Sequence, residues 1–283
     1  MVSCQPSDMS ETITSSPPPR PPVRSWYSYR WQLLTLPMLA FITLPLLALF
    51  LHTSPAALLG HLRQPTVLQA VRVSLNTTLV ATAIIVVFGT PIALFLAQPR
   101  PRFRRVVDTL TDLPTVLPPA VAGVALLIVF GRRGYVGGLL ADLGIQVAFT
   151  QAAVVMAQVF IASPFYIKSA ALGFAAVEPE TQQAAALDGA SGWQIFRYVI
   201  VPLSWPALLS GSLMSWARAL GEFGATIIFA GNFPGRTQTM PLAIYIGFQI
   251  DLEEALALSV ILVGFSFLAL LLVKGVFQRE KAT

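Results

Sequence analysis

The sequence predicts an all-α protein, a polytopic bundle of six transmembrane helices with N- and C-termini cytoplasmic. Three observations carry that expectation. Of 283 residues, 55% are hydrophobic and 11% charged, and the mean hydropathy is +0.71; a soluble domain holds about 25% charged residues. Too few polar groups are present to cover a soluble enzyme of this length. Charge-free apolar runs of 18 to 25 residues recur along the chain, each long enough for a hydrocarbon core of about 30 Å. The basic residues also segregate to alternate connections.

Taken in order, residues 1–30 are rich in Ser, Pro and Thr, with Pro17 to Pro19 followed by Pro21 and Pro22. Such a segment buries too little apolar area to order itself and is expected to be a cytoplasmic tail; residues 31–277 form the transmembrane domain and 278–283 a second tail. The expected spans are Leu33–Leu51, Val73–Ala97, Leu113–Phe130, Val147–Ile167, Tyr198–Ala217 and Ala255–Val273. The first is too long for a signal-peptide core and has no small-residue cleavage site close behind it, so an uncleaved helix is expected. Residues 223–235 and 237–250 are too short to span alone and are broken by Gly231, Pro234, Gly235 and Pro241. They predict an extension of the fifth helix and a re-entrant or interfacial segment.

With the N-terminus inside, the inner segments carry Arg20, Arg24, Arg30, Arg100, Arg102, Arg104, Arg105, Arg197, Lys274, Arg279 and Lys281; the outer ones carry Arg63, Arg72, Arg132, Arg133 and Arg236. The excess inside sets the orientation. The net charge of +5 is thereby explained by topology and contact with membrane lipids, and no nucleic-acid partner is needed. Cys4 stands alone, and His52 and His61 are too few for a metal site, so no metal and no cofactor is expected.

The longest inner connection, 178–202, has chemistry of its own. Residues 180–188 read as a short helix with acids at its N-terminal end, where the macrodipole favours them, and with Ala184, Ala185 and Ala186 giving a small-faced surface. Gly189 allows a turn at positive φ. Trp193, Phe196 and Val199 then form an apolar stripe on a second short helix, and Pro202 restarts the chain as the next span. A hairpin of this kind suits the groove of another protein or the membrane surface. Within the spans, Arg218 and Glu222 lie four apart on the fifth, about 24 Å beyond Pro202. They neutralise each other, either as a packing ion pair or, with Gly224 and Thr226 close by, as part of a path for an anion. Lys168 is explained by snorkelling to headgroups. Pro118, Pro119 and Gly123, with Pro164, are either ordinary kinks or breaks that mark the third to fifth spans as the wall of a pathway.

The 178–202 stretch resembles the cytoplasmic EAA loop of ABC-importer permeases: Gln183, Ala184, Ala185, Gly189, Val199, Val201 and Pro202 fall at its spacings. Gln stands where the pattern has Glu, and Val where it has Ile and Leu. The block Trp216–Tyr245, with Glu222-Phe-Gly-Ala-Thr226 and Gly235-Arg-Thr-Gln-Thr239, is similar to the molybdate branch, whereas sulfate permeases tend towards Glu-Tyr-Gly-Ser there. The resemblance covers roughly residues 33–277. It implies a type I importer fold in a bacterial inner membrane, a homodimer, two cytoplasmic ABC ATPase subunits and an extracytoplasmic molybdate-binding protein. It also implies an ATPase-coupling role for Gln183, Ala184, Ala185, Gly189, Ala190, Ser191 and Trp193. The substrate implied by the resemblance is molybdate or tungstate, with sulfate or thiosulfate as the alternative. No G-x-x-x-x-G-K-[ST] occurs in the chain, so ATP hydrolysis is expected in a partner and no catalytic residue here. A membrane enzyme would need convergent acids, His or Cys within the spans, and a passive channel leaves the hairpin without a role.

Overall fold

The computed structural model describes residues 28–53, 58, 60–62, 64–98 and 102–280. Most of the expected N-terminal tail, Arg63, Arg100 and Lys281 lie outside the described residues. The chain divides into two units, Met1–Leu47 and Ala48–Thr283. The described part of the first belongs to helix α1 (Ser28–His52), which continues past the division and carries Pro37 and Pro45 inside it. Among its described side chains the large apolar ones are exposed, apart from half-buried Leu49.

In the second unit the described helices are α2 (Pro65–Ala97), α3 (Arg104–Val116), α4 (Pro119–Phe130), α5 (Gly137–Asp142) and α6 (Gln151–Ala175), followed by α7 (Pro179–Leu187), α8 (Gly192–Ile195), α9 (Val201–Leu220), α10 (Gly224–Phe229), α11 (Met240–Ile250) and α12 (Leu252–Glu280). Five stretches are long and apolar enough to cross a bilayer: Leu34–His52, Pro65–Ala97, Gln151–Ala175, Gly192–Leu220 and Leu252–Leu272. The pair α3 and α4 makes a sixth if it counts as one broken span.

Helix α6 organises the unit. On one side Ala162, Tyr166 and Ala170 join Ile85, Ala93 and Leu96 of α2 and Ala219 of α9. On another, Ala153, Ala157 and Ile161 join Ala122 and Leu126 of α4 and Ala225 and Phe229 of α10. A third cluster ties Val67 and Ala70 of α2 to Leu220, Met240, Ala243 and Leu258. Small residues dominate these contacts because lipid is as apolar as any side chain, so helices associate through close packing and interhelical hydrogen bonds. The Tyr166 and Thr90 hydroxyls meet at 2.6 Å, which satisfies the one polar group of a side chain otherwise buried in the α2–α6 seam.

Three expectations are corrected here. The third apolar run, Leu113–Phe130, is not one helix: α3 and α4 meet at 114°. Pro119 pushes Pro118 into an extended conformation, and Leu117 is extended as well, because a residue before proline is driven out of the helical region. Residues 223–235 do not extend the fifth helix. The chain leaves α9 at Gly221 and restarts as α10, which lies against α4. Pro202 does not restart the chain either: α8 and α9 are joined by a π-turn, Phe196–Ile200. The Val201 N–H donates to the Phe196 carbonyl, five residues back. The wider turn falls just ahead of the missing Pro202 donor, where an ordinary helical ladder would be interrupted.

Candidate functional site

Residues 178–202 form the helix–Gly–helix hairpin that the sequence suggests, and they leave it largely uncovered. No residue of α7 is buried; Gln183 and Ala184 are exposed, while Ala185 and Ala190 are half-buried. Gly189 turns the chain at φ +87°, a left-handed conformation that costs a side-chain-bearing residue about 1–2 kcal/mol. Ser191 then opens α8 with a capping box: its hydroxyl accepts from the Gln194 N–H, and the Gln194 side-chain carbonyl accepts from the Ser191 N–H. Two large apolar side chains point out of the hairpin, Leu187 at 89% and Trp193 at 66% exposure.

The base of the hairpin is held firmly. The Phe196 ring packs 5.4 Å from Trp193 and 6.3 Å from Phe174 at the end of α6. The Gln182 side chain donates to the Val177 carbonyl. From there α6 and α9 run antiparallel as a laced pair. The Ser204 hydroxyl donates to the Gly173 carbonyl at 3.0 Å, Ser169 to Ala207 at 2.7 Å and Ser215 to Ala162 at 2.9 Å. Gly211 permits this approach, since a Cβ there would lie 2.8 Å from the Ser169 Cβ. Each such bond in a membrane bundle contributes about 0.6 kcal/mol, but three of them spread over about 16 Å of helix leave the pair little freedom to slide.

The far end of the laced pair holds the buried charge. Arg218 is in the last turn of α9, whereas Glu222 lies past its end, in the break before α10; the two are therefore not on one continuous helix, as the sequence suggested. Arg218 Nη1 donates to Glu222 Oε2 at 2.9 Å, and Glu222 Oε1 accepts from the Ala225 N–H at 2.9 Å. Glu222 is 1% exposed. Both carboxylate oxygens are occupied, one by the guanidinium and one by an orphan donor at the start of α10. Gly224 lets α10 close on α4, since a Cβ there would sit 2.7 Å from the Pro119 Cβ. Thr226, one turn on, is fully buried and its hydroxyl has no partner.

Sequence reasoning did not foresee two features. Lys168 does not only reach for headgroups: it bridges Asp108 and Asp112 of α3, the latter at 2.9 Å. The i, i+4 spacing of those acids was a legible signal, though the partner element was not. Arg132 and Arg133 also line an open cavity of about 590 Å³ beyond the end of α4, together with Leu127, Ile128 and Tyr135. Among the described residues no group of acids, histidines or cysteines could hold a metal ion; His61 instead lies 3.3 Å from Glu253.

Comparison with known proteins agrees with this architecture. Residues 89–281 match the family described as the binding-protein-dependent transport system inner membrane component. The chain is 39% identical over 241 residues to the molybdenum transport system permease protein ModB of Mycobacterium tuberculosis (strain ATCC 25618 / H37Rv), covering 85% of this chain and 90% of that one. It is 34% identical over 225 residues to a sulfate transport system permease protein, cysT, of Chlorokybus atmophyticus, with 78% of each chain covered. Among solved structures, a bacterial alginate ABC transporter in complex with its alginate-bound periplasmic protein superposes with a TM-score of 0.64 at 18% identity, covering 89% of this chain and 93% of that one. The exposed hairpin, the laced helices behind it and the recurrent apolar spans thus have a common explanation: the chain belongs to the family of inner-membrane components of binding-protein-dependent transport systems, the permease subunits of ABC importers.

Proposed function

We propose that the chain forms the transmembrane pathway of an ATP-driven importer for molybdate, as a homodimer with N- and C-termini in the cytoplasm. Two cytoplasmic ATPase subunits engage the hairpin 178–202, and an extracytoplasmic binding protein delivers the oxyanion. The observation that carries this reading is the exposed, apolar-tipped hairpin whose base is fastened to α6 and α9. A displacement of Gly189 and Trp193 by a closing ATPase is passed along a stiff helix pair to the break at Gly221–Phe223. Coupling of this kind requires an element with two arrangements that both ends bias, and the break between α9 and α10 is the natural place for one.

Gln183, Ala184, Ala185, Ala190 and Ser191 supply the smooth and capped surface on which the ATPase rests. Arg218 and Glu222 act first as the clasp that ties α9 to α10. With the carboxylate satisfied twice over, the pair holds the wall of the pathway, and the guanidinium stays half-buried. Strong binding of a dianion at this point would oppose its release, so a positioning role suits a conduit better than a high-affinity site.

The test is uptake of labelled molybdate by cells carrying the chain with its transporter partners, competed by tungstate and by sulfate. Competition by sulfate at concentrations comparable to molybdate favours the sulfate alternative, which the resemblance to the Chlorokybus protein supports at lower identity. Co-purification of an ATPase subunit that is lost in Gly189→Val, with the bundle still folded, supports the coupling role. If uptake survives scrambling of residues 183–193, that role is wrong.

A further inference from the structure

We propose that α3 is an interfacial helix that seats on anionic phospholipid headgroups at the hairpin end of the bundle, and that Lys168 holds it in the orientation needed to do so. The proposal rests on the permease reading only in placing the hairpin end at the inner membrane face. Helix α3 lies at a steep angle to α4, 114° from it, and packs on α6 through its acidic side. Lys168 receives both Asp108 and Asp112, which project from one side of α3 at i, i+4.

The opposite side is apolar and uncovered. Val106, Leu110 and Leu113 are 55%, 62% and 45% exposed and recur at helical spacing. Val121 and Val124 of the neighbouring apolar helix α4 are exposed as well. An apolar face next to a helix apolar enough to enter a bilayer favours lipid over a soluble protein as its cover.

The charges name the lipid. Arg102, Arg104 and Arg105 are exposed at the start of α3, and none of them makes an ion pair among the described residues. No acidic residue occupies the first turn. Phe103 precedes the helix at φ 61° and provides no side-chain cap. Cations at the positive end of a helix dipole are unfavourable, so three of them on an uncapped, left-handed entry are compensated by an external anion. An amphipathic helix with a basic flank and an apolar stripe is the pattern that lies in the plane of an anionic leaflet. Lys168 supplies the missing half of the design: by binding both aspartates it turns the only carboxylates of α3 away from the headgroups.

The experiment uses the full chain in nanodiscs, with Cys4→Ser and a bimane fluorophore on Val106→Cys, quenched by brominated phosphatidylglycerol or brominated phosphatidylcholine. Quenching is expected for both lipids, at a severalfold lower mole fraction for phosphatidylglycerol. That severalfold preference is expected to be lost in R102Q/R104Q/R105Q. Arg102→Gln alone, outside the helix, reports the graded loss if the triple variant does not fold. Lys168→Met is expected to reduce the preference while leaving the arginines in place. Bimane at 106 that is quenched by aqueous iodide and not by lipid overturns the proposal, as does shielding from both, which means a protein covers the stripe. Equal quenching by the two lipids, or a preference that survives removal of the arginines, overturns the headgroup assignment. None of these readouts depends on transport, so a failure here leaves the importer reading standing, and loss of molybdate uptake leaves this one standing.

Discussion

The two ends of the laced α6–α9 pair are built on opposite principles. At the hairpin end no residue of α7 is buried, and Leu187 and Trp193 face outward. At the far end Glu222, Ala225 and Thr226 are almost completely buried, and one carboxylate serves two donors. The first end leaves apolar area uncovered; the second uses charge to hold the chain together. Between them, three serine hydroxyls and the small residues around Gly211 make a connector of nearly fixed length. Under the proposed coupling role, these are the two ends of a lever: a surface to be grasped and a clasp to be held.

The comparison breaks most severely at the clasp. Glu222→Leu removes one member of a buried pair, leaves Arg218 uncompensated and frees the Ala225 N–H. The expected loss is about 3–5 kcal/mol of stability, read as a lower melting temperature in detergent. Much of it should return in Arg218→Met/Glu222→Leu if the pair is structural. Gly211→Val attacks the connector: its Cβ would meet Ser169, and overpacking of this kind costs about 1–3 kcal/mol, with uptake falling further than stability if the connector transmits motion.

At the hairpin the effects on the chain itself shrink. Ser191→Ala removes the capping box at about 1 kcal/mol, measured as increased hydrogen exchange confined to residues near 191–196. Trp193→Ala sharpens the contrast most. At 66% exposure it should change the chain's own stability by less than about 0.5 kcal/mol, yet weaken ATPase association by about 2 kcal/mol if Trp193 is an interface anchor. Equal effects on stability and association would remove the distinction between the two ends.

Much of this was legible in the chain before folding. The apolar runs appear as spans because a backbone in lipid must satisfy its own hydrogen bonds, which makes a long apolar stretch a helix almost regardless of neighbours. Gly189 and the acids before it marked the hairpin through local rules alone, and Ser191 with Gln194 is a local capping pattern. Most errors fall where proline or a distant partner intervenes; the break after α9, at Gly221, is the exception. Pro118 and Pro119 were recognised as a break, but not that they divide α3 from α4 so sharply. Pro202 suggested a restart, where the backbone instead absorbed the missing donor in a π-turn. Lys168 looked like a snorkelling residue because Asp108 and Asp112 stand some sixty residues away.

Composition and period determined by themselves that this is a helical membrane protein and where most of its spans lie. Those properties depend on transfer of side chains into lipid and on local backbone propensity, both of which act residue by residue. Only the tertiary structure decided that Glu222 clasps two helices, that α6 and α9 are laced together, and that α3 turns its acids towards Lys168. Each of these depends on which helix faces which, and that is set by the close fit of small residues across contacts such as Gly211 to Ser169. Such a fit is a property of two surfaces, and no single run of sequence contains both.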